Sequence, residues 1–413
     1  MKEKKSLTFE RQQKITPMKL SRLVEQMTES ATLRMAQLAR DLKAEGKDVI
    51  SLSLGEPDFD TPEAVKQAAT RALANGYTKY SPVPGLSELK QAISDKFQRE
   101  NNLDYSVDEI VVSNGAKQSI ANLCLALLNP EDEVILFTPY WVSYKDIVGL
   151  TGAKVIPVEA GIEHDFKVTP EMLSPHLSNR TRMVIFSSPC NPTGSVYRED
   201  ELKALADCIQ EYPDIVVLSD EIYEYINFVG KHVSMAQFEG IKNQVATVNG
   251  FSKGFAMTGW RLGYMGAPKP LAQACAKIQG QFTSGAASFS QMAGAYALNN
   301  SLDAPSEMCE AFKKRRDLVV SLLSDIPGIE TNHPEGAFYI FPRVSSFFGS
   351  SYKGNTIENS EDFAAFLLQE AHVATVAGSA FGDKSCIRLS YAASESEIRE
   401  AMNRISQAVK LLK

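Results

Sequence analysis

Cysteine is scarce and poorly placed for chemistry. The six cysteines, Cys124, Cys190, Cys208, Cys275, Cys309 and Cys386, form no Cys-x-x-Cys pair. That excludes the common zinc patterns and a disulfide framework, and fits a reducing, cytoplasmic compartment. The five histidines are as scattered, so no metal site is expected. No apolar run approaches the ~18 residues a spanning helix needs, so no membrane role is expected. Positive charge is not in excess either. Lys and Arg number 43 against 50 Asp and Glu, a net charge of −7, and a nucleic-acid partner would require a basic stripe instead. The chain has no G-x-G-x-x-G and no P-loop spacing, which leaves nucleotide binding without a fingerprint. Residues 1–17 read as a polar N-terminal extension. Met1 to Lys5 is basic, but no apolar segment or small-residue cleavage site comes after it, and Glu3 and Glu10 disfavour a transit peptide.

What the chain does have is alternation. Its 413 residues are 44% hydrophobic, enough for a large core and for two or three domains. Short apolar runs, Ile110–Val112, Val134–Phe137, Val155–Val158, Met183–Phe186, Ile215–Leu218 and Val245–Val248, are separated by helical patterns. This is the pattern of an α/β fold with a mostly parallel sheet flanked by crossover helices. Rich in Val and Ile and lacking strict alternation, the runs predict strands buried on both faces. After the first run, Ile120, Leu123, Cys124, Leu127 and Leu128 keep helical spacing until Asn129-Pro130. The C-terminal part differs. Gly336–Phe341 and Cys386–Tyr391 predict strands. Ser394-Glu395-Ser396-Glu397 is a capping box opening a last helix with Ile398, Met402, Ile405, Val409 and Leu412 on one face. We therefore expect a large domain over residues 61–304 and a smaller α+β domain over 18–60 and 305–413.

Ligands of open parallel sheets collect at the carboxyl ends of the strands, so the residues after each run matter most. Ser113-Asn114-Gly115-Ala116-Lys117 leads into a helix whose free N–H groups form an anion seat. Thr138-Pro139-Tyr140-Trp141 offers an indole for a flat ring. Ser187 to Gly194 is a proline-stiffened loop that fixes the amide of Asn191. Ser219-Asp220-Glu221-Ile222-Tyr223 pairs a carboxylate with a phenol three residues on, suited to a heterocycle with a ring nitrogen and a ring oxygen; Glu221 is expected to face away. After the turn Asn249-Gly250 come Ser252 and Lys253, with Arg261 eight positions later. A hydroxyl and a guanidinium are good phosphate ligands. Each segment has a plainer reading: an ordinary turn, a core indole, a sturdy loop, a helix-capping Asp, a solvated lysine. Five such segments at five strand ends point instead to one planar, anionic, electrophilic cofactor.

These segments resemble those of the class I, fold type I, pyridoxal-phosphate-dependent aminotransferases, which implies a mostly parallel seven-stranded sheet in the large domain. The likeness runs from about Leu20 to the C-terminus. It also includes Gly55-Glu56-Pro57-Asp58-Phe59, Tyr80-Ser81-Pro82 and Ile387-Arg388-Leu389-Ser390, and it is strongest with the bacterial aspartate/prephenate branch. The resemblance implies pyridoxal 5′-phosphate bound covalently to Lys253, which then serves as general base at the substrate Cα. It implies Asp220 at the protonated ring nitrogen, Tyr223 and Asn191 at the ring oxygen, and Trp141 stacked on the ring. The phosphate would be held by the backbone of Gly115, Ala116 and Lys117 with Ser252 and Arg261. Tyr80 would reach the phosphate of the neighbouring subunit, which implies a homodimer with shared sites. Arg388 would hold the substrate α-carboxylate, with Gly55, Asn191 and Trp141 beside the substrate. Lys117, with a segment like Ser30-Ala31-Thr32, would meet a distal carboxylate. Cys190 occupies a variable position.

The implied reaction moves the amino group of L-aspartate to 2-oxoglutarate with ping-pong kinetics. The same pair of cations admits prephenate, and an aromatic substrate or a lyase of the same cofactor class are the other enzymatic readings. A non-catalytic sensor fused to a DNA-binding domain fits less well, because residues 1–17 are too few for a winged helix.

Overall fold

The structure, a computed structural model, describes residues 18–27 and 31–413. The expected extension over residues 1–17, and Ser30, lie outside the described residues.

Seven strands make the main sheet: β1 (Ile110–Ser113), β2 (Glu133–Thr138), β3 (Lys154–Glu159), β4 (Thr181–Ser187), β5 (Val216–Asp220), β6 (Val245–Gly250) and β7 (Gly263–Gly266). Their spatial order is β1-β7-β6-β5-β4-β2-β3. β7 is antiparallel to both its neighbours and the remaining pairings are parallel. Apolar clusters cover both faces. One joins Ile110, Ile135, Val184, Val217 and Val245, the other Val111, Val134, Met183, Leu218 and Val248. Burial on alternate faces at successive positions is why these strands read as unbroken Val/Ile runs.

Two local expectations are corrected, and one strand goes unannounced. β3 is not buried on both faces: of its residues only Val158 is buried, because β3 is the last strand at one edge of the sheet. Asn249 and Gly250 are no turn. They pair with Tyr264 and Gly263 as the end of β6. The partner strand β7, Gly-Tyr-Met-Gly, has no apolar run to announce it, and its glycines are there for space. A Cβ on Gly263 would overlap the Ala116 backbone, and one on Gly266 would press on the Tyr105 ring.

A second body of core links Ile50 and Leu52 with Phe312, Phe338, Phe363, Ile387 and the last helix. Its antiparallel sheet has the order β9-β10-β8, from β8 (Tyr339–Ile340), β9 (Val376–Ala377) and β10 (Ile387–Ser390). The expected strands Gly336–Phe341 and Cys386–Tyr391 are thus cut to two and four residues. Ile50–Ser51 pairs in parallel with Val373–Ala374, which ties the N-terminal segment to the C-terminal part. The last helix, Glu395–Val409, opens on the capping box: Ser394 Oγ accepts from the Glu397 N–H, and the Glu397 carboxylate accepts from the Ser394 N–H. Leu412 falls just past its end. Among the described residues, no helix is long and apolar enough to cross a membrane.

Candidate active site

Parallel strands bring their carboxyl ends to one edge, and there a cavity of about 420 Å³ lies between the main sheet and the C-terminal body. Lys253, Asp220, Tyr223, Asn191, Trp141 and Ser252 line it from the main sheet. Ala116, Lys117 and Arg261 line it from the segments that follow β1 and β6, and Thr32, Gly55 and Arg388 line it from the N-terminal segment and the C-terminal body. Gly115 sits directly behind Arg261. Tyr80 is not in the cavity of its own chain; its side chain is 99% exposed.

The anion seat is built by exclusion of side chains. Helix α1 (Ala116–Leu127) starts from Gly115, whose φ of 83° is a left-handed value costly to other residues. A Cβ there would stand 2.5 Å from Arg261 Nη2, so glycine is what lets the guanidinium lie across the helix start. Arg261 itself adopts φ 53° and donates to the Thr258 carbonyl at 2.7 Å. A cation, free helix N–H groups and the Ser252 hydroxyl suit a phosphate.

Lys253 donates to the Gly55 carbonyl. Loss of hydration, and next the charge of Arg388, bring its amine down to about 8. A larger fraction is therefore neutral and nucleophilic near pH 7 than for a free lysine. Asp220 is buried at the end of β5. Tyr144 Oη donates to its Oδ2 at 2.6 Å and the Ile222 N–H to its Oδ1 at 3.2 Å. Burial pushes its carboxyl up to about 6, against these two hydrogen bonds, which favour the ionised form. A buried carboxylate held near neutrality needs a cation opposite, and a protonated ring nitrogen supplies one. Glu221 turns away into a closed set of partners: Ser219, Ser234 and His232.

On the substrate side, Arg388 is buried at 2% exposure. Its Nη1 donates to Asn191 Oδ1 at 2.9 Å and its Nη2 to the Ser53 carbonyl at 2.7 Å, while Nε has no partner among the described residues. Its guanidinium lies over the rings of Tyr339 and Phe381. An Arg so stripped of water calls for an anion. Lys117 projects from the first turn of α1, its Nζ 4.9 Å from the centre of the Trp141 ring. Partial loss of hydration, then the charge of Arg261, lower its pKa.

Two of the lining residues absent from the sequence reading contact the polar groups of the site. Tyr144 packs edge-on against Trp141 and holds Asp220; its spacing of three from Trp141 on a helical turn was the available signal. Tyr339 meets Tyr223 hydroxyl to hydroxyl at 2.8 Å. It comes from a distant segment, and nothing local marked which face of that short strand meets the site.

The donor set therefore fits the group that the resemblance implies. A cationic, glycine-cradled end suits the phosphate, Asp220 the ring nitrogen, and the depressed amine of Lys253 the aldehyde.

Comparison with known proteins agrees. Residues 47–405 match the family model described as aminotransferase class I and II. The chain is 47% identical over 382 residues to an aspartate aminotransferase of Rhizobium meliloti, covering 92% of this chain and 93% of that one. It is 44% identical over 399 residues, 95% of this chain and 83% of the other, to a bifunctional aspartate aminotransferase and glutamate/aspartate-prephenate aminotransferase of Petunia hybrida. The crystal structure of the Rhizobium meliloti aspartate aminotransferase superposes with a TM-score of 0.93 at 44% identity, covering 96% of this chain and all of that one.

Proposed function

The chain belongs to the class I and II aminotransferases, and from that premise we propose that it transfers the amino group of L-aspartate to 2-oxoglutarate in two ping-pong half-reactions. The observation that carries the substrate reading is one cavity lined by Lys253 and by two cations for a dicarboxylic acid, Arg388 and Lys117.

The family cofactor is pyridoxal 5′-phosphate, which when bound supplies an aldehyde that captures amines and a ring that accepts the electron pair left at the substrate Cα. The rest falls to the chain. Arg261, Ser252 and the N–H groups of Gly115, Ala116 and Lys117 hold the phosphate. Asp220, kept in place by Tyr144, holds the proton of the ring nitrogen. Tyr223 and Asn191 serve the ring oxygen, and Trp141 covers the ring face. Arg388 fixes the substrate α-carboxylate beside Gly55, so that the Cα–H bond points at a lysine whose low basicity lets it take and return the proton. Lys117 and Thr32 face the distal carboxylate.

The proposal includes a homodimer, in which the exposed Tyr80 serves the partner's phosphate. It also includes a division into residues 18–60 with 305–413 and residues 61–304, supported by the pairing of Ile50–Ser51 with Val373–Ala374. A reducing, cytoplasmic setting accords with six free thiols. Prephenate is the second reading, favoured by the activity in the name of the Petunia relative. A panel of amino donors and acceptors, prephenate among them, decides between the two. Absence of amino transfer from aspartate or glutamate to any 2-oxo acid would overturn both.

The geometry also sets two measurable outcomes. Lys117→Ala should lower kcat/KM for aspartate about tenfold or more, the scale of one lost charge-assisted contact, while leaving alanine or a monocarboxylic aromatic substrate nearly unchanged. Equal losses on all substrates would assign Lys117 to the phosphate alone. Reconstitution of the cofactor-free protein, monitored by its visible absorbance, should accelerate as pH rises from about 7, pass half its maximum near pH about 8 and level off above about 9, as the Lys253 amine loses its proton. A rate still climbing at about pH 10 would mean that the amine keeps its ordinary basicity.

A further inference from the structure

Tyr339 touches three parts of the site. Its side chain is fully buried. Its hydroxyl lies 2.8 Å from that of Tyr223. Its ring lies under the Arg388 guanidinium, 4.5 Å from ring centre to Cζ. Its oxygen also fills the space in front of Gly55, where a Cβ would overlap it, and the Gly55 carbonyl is the acceptor for Lys253. It arrives on β8, in the C-terminal body, whereas Tyr223 and Lys253 stand at the edge of the main sheet. We propose that Tyr339 is a positioning residue that joins the carboxylate clamp to the phenol of Tyr223 and sets the direction in which that phenol donates.

The two phenol protons decide that direction. Burial raises both phenols above their ordinary range, so near neutral pH each keeps its proton. Among the described residues, neither hydroxyl has another hydrogen-bonding side chain within reach, so the two protons serve one bond between the oxygens and one bond elsewhere. In the functional reading proposed for this site, on which this inference rests, Tyr223 donates into the cavity toward the ring oxygen. Tyr339 must then donate to Tyr223. Gly55 supports this order, because its bare Cα lets Tyr339 fill the space and shuts water from the pair. A donor behind Tyr223 makes it a stronger donor in front. The same ring forms the floor of Arg388, so a substrate carboxylate that settles on the guanidinium presses on the residue that orients the phenol.

The test uses the holoenzyme and the single and double variants Tyr339→Phe and Tyr223→Phe. Tyr339→Phe keeps the floor of Arg388 and removes one hydrogen bond. It should lower kcat about threefold to tenfold, the scale of a single hydrogen bond, with KM for aspartate within about twofold of the original value. It should also raise the midpoint of the visible absorbance titration, because a weaker donor stabilises less negative charge on the ring oxygen. The double variant should be no worse than Tyr223→Phe alone. Replacing Tyr339 with 3-fluorotyrosine, a more acidic phenol, should move the midpoint the other way. This arm remains decisive if the phenylalanine variant folds poorly. Tyr339→Leu, which removes the floor, should raise KM. The idea is overturned by an unmoved midpoint in both the phenylalanine and fluorotyrosine proteins, or by strictly additive losses in the double variant. The absorbance titration needs only bound cofactor. It therefore judges Tyr339 even if aspartate proves not to be the amino donor.

Discussion

Replacing Lys253 with alanine should lower amino transfer by about ten-thousand-fold or more, the upper range of what a positioned acid–base group supplies, and remove the imine absorbance of the purified protein. Two losses combine. The amine that captures the cofactor is gone, and so is the base that shuttles the Cα proton. The structure makes substitution from nearby difficult. Lys117 stands over the Trp141 ring, and the cations Arg261 and Arg388 have no usable free base near neutral pH. Thermal melting measured beside the assay separates loss of chemistry from loss of fold. A half-buried amine whose only hydrogen bond among the described residues is to one carbonyl is replaced with little expected change in melting temperature. A variant that retains both turnover and absorbance would remove Lys253 from the chemistry and the functional reading with it.

Arg388→Ala is the second large effect. Breaking a desolvated, hydrogen-bonded charge pair costs roughly 2–5 kcal/mol, which is about 30-fold to several-thousand-fold in binding. The loss should fall on KM for every α-amino acid, because the α-carboxylate is common to all of them, in contrast to the selective loss expected for Lys117→Ala. Removing the guanidinium also frees Asn191 Oδ1 and the Ser53 carbonyl, so part of the loss reflects groups left without partners. Arg388→Lys keeps the charge but not the planar fork and should recover little. Unchanged kinetics on aspartate in the alanine variant would rule out the clamp.

The residues legible in the sequence share a property: they come just after a buried run of Val and Ile. Asp220 and Lys253 are legible in this way, and the cavity gathers both. Strands buried on both faces leave a strong signal, and the sheet geometry then delivers the residues at their carboxyl ends to one edge. The misses have equally physical causes. β7 is short, and its two glycines answer to a neighbouring backbone and a neighbouring ring, not to apolar burial. The edge position of β3 depends on strand order, which a run of apolar residues does not encode. Tyr339 meets Tyr223 across 116 positions of sequence, and only the packing of the C-terminal body against the sheet shows the contact. Arg388 is legible through resemblance alone, since an arginine in a strand carries no local mark of what it faces.

β7 has one more effect. It lies between β1 and β6, with Gly263 paired to Ser113 on one side and to Gly250 on the other. The helix start of the phosphate seat follows β1 and Lys253 follows β6, so the strand ends from which they leave stand two inter-strand spacings apart, about 9.6 Å in all. A sheet ladder is a rigid ruler, and no loop substitution can lengthen it. Lys117 and Thr32 hang outside that ruler, on a helix turn and on the N-terminal segment. Under the proposed roles, chemistry is thereby fixed in dimension while the choice of substrate stays adjustable, and new specificities in this scaffold should be sought at those outlying positions and not along the ladder.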